Sequence, residues 1–331
     1  MRGPLKPERR LARKSRWQLF LGGISLALLA MVPRTLAAAQ DTGQVHSPGT
    51  SIKVDVGLVD LNVTVNDRTG QPFTALKAEN FRVYDDGIEQ MIHHFNTEDR
   101  PYSMGLVLDR SGSMFMMMEE VYQAAFHTIR SSKAEDEFFI STFNEQSKMQ
   151  QHLTTDRLVL EQQLKNIEAG GATALYDAIL DAVDHIQQGS QEKKALLVVT
   201  DGADNASTHR FQEVLERARQ ESVAIYVVGM FDKRSMSTEG AEEKILKGLL
   251  TQVAEATGGK AYFPRTIKEC ERACIAIAQE LRQQYSLGYY PSFQARDGSW
   301  HNVQVKLQLQ KGLDDLGLGV RTGAGYYAPQ K

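Results

Sequence analysis

The sequence predicts a Rossmann-like α/β body with a doubly wound, mostly parallel sheet, inserted in or flanked by a small β-sandwich. Three observations carry this. Between residues 103 and 285, short continuous apolar runs alternate with helical patterns, as expected for strands buried on both faces and covered by helices. On either side, at 51–98 and 286–327, the pattern becomes short alternating strands broken by Asp and Gly turns. Neither flank is large enough to bury a core alone, so the two are expected to pair around the body.

Taken in order, the first segment is a leader. Six of residues 2–14 are basic, the apolar run Trp17–Val32 follows, and Ala37-x-Ala39 fits a small-residue cleavage site. Residues 1–39 are therefore expected to be a signal peptide or an N-terminal membrane anchor. Either places the body outside the cytoplasm. Residues 40–50, with Gly and Pro among polar side chains, are a linker. Alternation from Ile52 to Val65 ends at the turn Asn66–Gly70, and Phe81–Tyr84 and 90–95 give two more strands.

In the body, Gly105-Leu106-Val107-Leu108 opens the buried strands, with further strands at 137–143, 195–200, 223–229 and 260–263. Helical periodicity falls at 114–132, 155–167, 174–188, 208–220, 242–257 and 266–284. The tail returns to strands near 285–290, 300–307, 319–321 and 325–327.

Composition narrows the function. The leader holds eight of the 38 Lys and Arg and one of the 41 acidic residues, so the remainder is acidic. An acidic body argues against nucleic acid as a partner. No His-Glu-x-x-His, phosphate loop or Gly-x-Ser-x-Gly elbow is present, which argues against the common hydrolases. The two cysteines, Cys270 and Cys274, lie one helical turn apart. A bridge there would close only a tiny loop, so two semi-buried thiols are expected, with a local disulfide as the alternative.

The chemistry sits where the first body strand ends, at Asp109-Arg110-Ser111-Gly112-Ser113. Ligands of open α/β sheets bind beyond the carboxyl ends of strands. Asp109, Ser111 and Ser113 are two residues apart, so a curled loop can turn all three oxygens inward around Gly112. Hard oxygen donors suit Mg²⁺, Mn²⁺ or Ca²⁺ and not zinc. Two other segments add to this: Gly170-Gly171-Ala172-Thr173 presents a hydroxyl before a helix, and Thr200-Asp201-Gly202 presents a carboxylate after a buried strand.

Together, Asp109, Ser111, Ser113, Thr173 and Asp201 resemble the metal-dependent adhesion site of von Willebrand factor type A and integrin inserted domains. The resemblance implies that two serines and a threonine hold Mg²⁺, with Mn²⁺ or Ca²⁺ as alternatives. The two aspartates would act directly or through water, and a Glu or Asp of a partner protein would complete the shell. It further implies a binding module and not an enzyme. The alternative is a structural subunit of an envelope complex in which the metal only stabilises the fold. The flanks, Asn62-Val63-Thr64-Val65 through Asp86-Gly87, then Tyr285–Pro291 and Gly325-Tyr326-Tyr327, are similar to bacterial, notably acidobacterial, proteins described as von Willebrand factor A-related.

Other residues have plainer expectations. Met114, Met116, Met117 and Met118 cannot all lie on one helical face, so some of them, or Phe115, should be exposed beside the metal. Asp177 and Asp204 could orient ligands from behind, or simply be a satisfied helix residue and a helix-start charge respectively. The adjacent His93 and His94 face opposite sides of a strand and make a poor chelate.

Overall fold

The computed structural model describes residues 57–330, apart from 98, 166, 232–239, 294–295 and 311–312. The expected leader at 1–39, the linker at 40–50 and the strand onset at 52–56 lie outside the described residues. Among those described, no helix is long and apolar enough to cross a membrane.

The chain opens with β1 (Val59–Asn66), β2 (Phe81–Asp85), β3 (Ile88–Gln90) and β4 (Ile92–Asn96). The body follows as β5 (Tyr102–Asp109), α1 (Met118–Ser131), β6 (Glu137–Phe143), β7 (Ser147–Thr154), α2 (Arg157–Leu164), α3 (Leu175–Ile186), β8 (Lys193–Thr200), α4 (Phe211–Gln220), β9 (Ala224–Gly229), α5 (Ala241–Ala256), β10 (Ala261–Tyr262) and α6 (Ile267–Arg282). Four strands close the chain: β11 (Tyr285–Tyr289), β12 (Trp300–Leu307), β13 (Gly319–Arg321) and β14 (Gly325–Tyr327).

The body has a six-stranded sheet in the order β10-β9-β8-β5-β6-β7, parallel except for β7. Alternate residues of each buried strand feed opposite cores. Met104, Leu106 and Leu108 of β5 meet α1, α2 and α6, whereas Val107 shares a second core with α3, α4 and α5. This two-faced burial makes the fold doubly wound, as the sequence predicts. At the sheet centre a side chain on Gly105 would strike the Phe139 ring at 2.3 Å, so glycine lets that ring cross β5.

Two departures from the sequence expectations have simple causes. Residues 114–117, expected as the start of an α-helix, instead belong to a 3₁₀ turn, Gly112–Met117, that precedes α1. It buries Met114 and Met117 and leaves Phe115 and Met116 exposed. The edge strand β7 was not expected, because its sequence Ser-Lys-Met-Gln-Gln-His-Leu-Thr is polar. An edge strand is half solvated and needs few apolar residues.

The flanking strands form two four-stranded antiparallel sheets, β13-β1-β11-β4 and β14-β12-β2-β3. One core lies between them, with Leu61, Val63, Tyr285 and Leu287 from the first sheet and Phe81, Val83, Val303 and Val305 from the second. Both cysteines are free and fully buried in the core under α1 and α6, deeper than the semi-buried state expected.

Helix α6 joins the layers. The Glu280 carboxylate, 2% exposed, accepts from the Tyr226 hydroxyl of β9 at 2.6 Å and from Asn66 of β1 at 3.3 Å, and is paired with Arg321 of β13. Arg321 also donates to the Gly258 carbonyl at 3.1 Å. Removing one partner of a buried pair strands the other charge. Arg321→Met is expected to lower stability by about 3 kcal/mol, measured as a fall in the urea midpoint. A midpoint within experimental scatter of wild type would show that Glu280 does not rely on Arg321.

Candidate metal centre

Strands β8, β5 and β6 are neighbours and end together, so the loops after Thr200, Asp109 and Phe143 share one edge of the sheet. Backbone hydrogen bonds stitch them. Arg110 N–H donates to the Phe143 carbonyl, Gly112 N–H to the Gly171 carbonyl at 2.9 Å, and Gly170 N–H to the Arg110 carbonyl at 2.8 Å. On its other side the glycine loop is tied by Asn205 and Ala206, whose N–H groups donate to the Thr173 carbonyl. Gly171 adopts a φ of +89°, and a Cβ there would lie 2.9 Å from the Asn144 amide nitrogen. Only glycine suits both demands.

Asp109 is fully buried. One carboxylate oxygen accepts from Ser111 N–H at 2.8 Å and the other from the Thr200 hydroxyl at 2.6 Å. Ser111 is buried and Ser113 exposed, and their hydroxyl oxygens are 3.1 Å apart. Burial pushes the Asp109 carboxyl up to about 6, and the nearby negative charge of Asp201 adds to the rise. Asp201, 9% exposed, turns one oxygen to Ala203 N–H at 3.2 Å. The structure therefore brings Asp109, Ser111 and Ser113 into one hydrogen-bonded group with Asp201 within electrostatic reach. Thr173 is buried on the adjoining loop. Among the described residues, no hydrogen bond links its hydroxyl to the other four.

Three supporting residues were not assigned from sequence: Thr200, which holds Asp109; Asn144, whose amide donates to the Gly170 carbonyl at 2.8 Å; and Asn205, whose side-chain oxygen accepts from Thr173 N–H at 2.9 Å. Their only sequence signal is position, at or just past strand ends. Asp204 and Asp177 serve local structure. Asp204 accepts from Leu175 N–H at 2.8 Å at the start of α3. Asp177 accepts from the N–H groups of Thr208 and His209.

A family model of the von Willebrand factor type A domain matches residues 104–270, half of the chain. The chain belongs to the von Willebrand factor type A domain family. The matched segment runs from β5 into α6 and contains all five candidate residues of the type A domain. A curated protein of Borreliella burgdorferi, described as uncharacterized, is 24% identical over 146 residues, 40% of this chain and 43% of that protein. The chain thus spans less than half the length of that relative. Among solved structures, a von Willebrand factor type A protein from Catenulispora acidiphila aligns with a TM-score of 0.48 at 11% identity, covering 84% of this chain and 75% of that one. The vWF domain of a type V pili tip protein from Porphyromonas gingivalis aligns at 0.45 and 9% identity, over 55% of this chain and 95% of that one. An aerotolerance-related membrane protein from Bacteroides fragilis aligns at 0.44 and 17% identity, over 54% and 98%.

Two predictions concern the loop behind the type A site. Asp204→Ala removes the acceptor at the start of α3 and should cost about 1 kcal/mol in chemical denaturation; no change would mean that water replaces it fully. The second concerns pH. The hydrogen bond that His209 Nδ1–H donates to the Asp177 carboxylate raises the imidazole above its ordinary 6.5. A raised imidazole contributes fully below pH 6.5, and its contribution fades as the pH climbs through the raised value. An NMR titration should place His209 above 6.5 in the wild type and return it to the ordinary range in Asp177→Asn; identical titrations would remove the pairing.

Proposed function

We propose that the protein is a metal-dependent protein-binding or adhesion module. In this reading Ser111, Ser113 and Thr173 hold a Mg²⁺ ion, or Mn²⁺ or Ca²⁺, with Asp109 and Asp201 bound directly or through water. The observation that carries it is the 3.1 Å separation of the Ser111 and Ser113 hydroxyls beside two carboxylates of like charge. Adjacent ligands of an octahedral ion with bonds of about 2.0–2.1 Å lie about 3 Å apart. The serine pair matches that spacing as it stands, and a cation would relieve the repulsion between Asp109 and Asp201.

Bound there, the ion supplies a Lewis-acidic position for an incoming anionic oxygen. The chain's own residues set what arrives. Asp109, engaged by Thr200 and Ser111 N–H, orients the serine loop. The neutral hydroxyls add no negative charge, so the site favours an external carboxylate, a Glu or Asp of a partner protein. Exposed Phe115 and Met116, 68% and 54% accessible, adjoin Ser113 and give the partner an apolar contact.

The proposed role is non-enzymatic. The Ser111 hydroxyl lies 3.1 Å from the Ser113 hydroxyl beside Asp109, and among the described residues neither serine is bonded to a histidine. The setting is extracytoplasmic, as the basic and apolar leader implies, either secreted, periplasmic or anchored. Within the type A family we group the chain with the bacterial von Willebrand factor A-related proteins, on its flanking Asp85-Asp86-Gly87 and Gly325-Tyr326-Tyr327 motifs.

Thermal unfolding of EDTA-stripped protein with added Mg²⁺ tests the site. Metal at ~100 times its dissociation constant adds about 2.7 kcal/mol, a rise of a few degrees. The rise should vanish in Asp109→Ala. A rise of equal size in that variant would place the metal elsewhere. For the partner, capture that needs Mg²⁺, is reversed by EDTA and weakens in Phe115→Ser supports the docking face. Capture indifferent to EDTA would sink it.

A further inference from the structure

The sandwich contains a second group of ligand-type side chains, far along the chain from the first. Strand β2 ends at Asp85, and Asp86 and Gly87 make the tight turn into β3. His301 stands on β12, which pairs with β2. One ligand atom from each of Asp85, Asp86 and His301 falls within 4.8 Å of the other two. His301 Nδ1 is 3.4 Å from Asp85 Oδ1 and 2.9 Å from Asp86 Oδ2.

An acidic turn beside a histidine is commonplace, and a plain ion pair would account for the His301–Asp86 contact. Asp85 is less well served, because its Oδ1 stands 3.4 Å from His301 Nδ1 without a hydrogen bond. That side chain is 5% exposed. Its Oδ2 accepts from two tyrosine hydroxyls, Tyr289 at 3.0 Å and Tyr326 at 2.9 Å. Its Oδ1, aimed at His301, is buried with no hydrogen-bond partner. Leaving a carboxylate oxygen buried and unmatched is costly. A natural remedy is a cation.

The surroundings suit one. Asp86 Oδ1 accepts from Asn302 N–H at 2.9 Å, which fixes its carboxylate and leaves Oδ2 toward the histidine. The His301 ring stacks on Tyr326, with its Nε2 3.3 Å from the Ser299 hydroxyl. A histidine that donates Nε2–H to a hydroxyl presents the Nδ1 lone pair to the carboxylates, the arrangement that outer hydrogen bonds impose on metal-binding imidazoles. Two ligands bound at ~2.0–2.1 Å to one tetrahedral ion lie about 3.3 Å apart, and the two observed nitrogen–oxygen distances bracket that value.

We propose that Asp85, Asp86 and His301 form a second cation site, for a borderline divalent metal of the zinc class, that ties the β2–β3 turn to β12. One nitrogen and two carboxylate oxygens favour zinc over the hard ions expected at the type A site. A fourth position stays open to water. Any proton on His301 Nδ1 leaves to solvent when the metal binds.

The test titrates Zn²⁺ calorimetrically into the EDTA-stripped full chain and into Asp109→Ala, Asp86→Asn and His301→Gln. Asp86 has a φ of +47°, a conformation that asparagine tolerates, so Asp86→Asn retains the turn. Wild type and Asp109→Ala should bind one Zn²⁺ with the same affinity. Asp86→Asn and His301→Gln should bind at least about tenfold more weakly, with metal-free melting temperatures near wild type. Co²⁺ substituted for Zn²⁺ should show a ligand-field absorption band that is lost in His301→Gln. Equal Zn²⁺ affinity in all four proteins would overturn the proposal, as would loss in Asp109→Ala alone or no binding at millimolar Zn²⁺. Asp86→Asn should leave the Mg²⁺ response of the type A site intact, which separates failure of this proposal from failure of that site.

Discussion

The α/β body enters and leaves the sandwich through two strands hydrogen-bonded to each other. Strand β4 delivers the chain to the body and β11 takes it back, and Ser286 of β11 stands opposite Asn96 of β4. Because the two ends of the insertion lie side by side, the sandwich closes across a long insertion with little extra loop entropy. The same pairing fixes where α6 stops, since β11 begins three residues after Arg282. That short connection brings the end of α6 against both layers. Glu280 bonds to β9 below and to β1 and β13 beside it, and Arg282 pairs with buried Asp136 at 2.7 Å and with Asp99 in the segment leading to β5. Charges this deep do not add stability cheaply, but they exclude alternative seatings of the helix, because every other seating strands a charge.

From that anchored end the consequences run to the opposite edge of the sheet. The apolar runs of β5, β6 and β8 give way to polar residues at or just past the strand ends, and these gather at the carboxyl edge. Most of them are occupied in holding loops: Thr200 on Asp109, Asn144 on the glycine loop, Asn205 on Thr173. The serine hydroxyls of 111 and 113 face one another at 3.1 Å beside Asp109. A site of this kind is built by using up the competing donors elsewhere.

Much of this could be read from the chain, and the limits have physical reasons. The buried strands of the body show as apolar runs because both faces are covered, and β5 is buried at every position. Strand β7 does not show, because its outer edge and part of its face are solvated. The aspartate–serine loop shows because its residues are close in sequence. Thr200 and Asn144 do not, because their partners are 91 and 26 residues away. The onset of α1 falls later than its spacing predicts for a related reason: a 3₁₀ turn and an α-helix give the same apolar spacing over a single turn, and the loop pinned at Gly112 selects the tighter one.

The two cation sites proposed here differ in the way their neighbours would lead one to expect. At the carboxyl edge the donors are hydroxyls and carboxylates set in loops, next to exposed Phe115 and Met116. A hard ion held there keeps water readily and can exchange it for a partner's oxygen. In the sandwich the donors are an imidazole and a carboxylate on paired strands and a second carboxylate on the β2–β3 turn, with Asp85 gripped by two tyrosines. Strand pairing leaves those donors little freedom to rearrange, so an ion there is suited to holding β2 against β12 and poorly suited to recruiting a large partner. The access each place leaves to an outside oxygen, more than its charge, separates a binding role from a structural one, since Ser113 is exposed whereas Asp85 is buried.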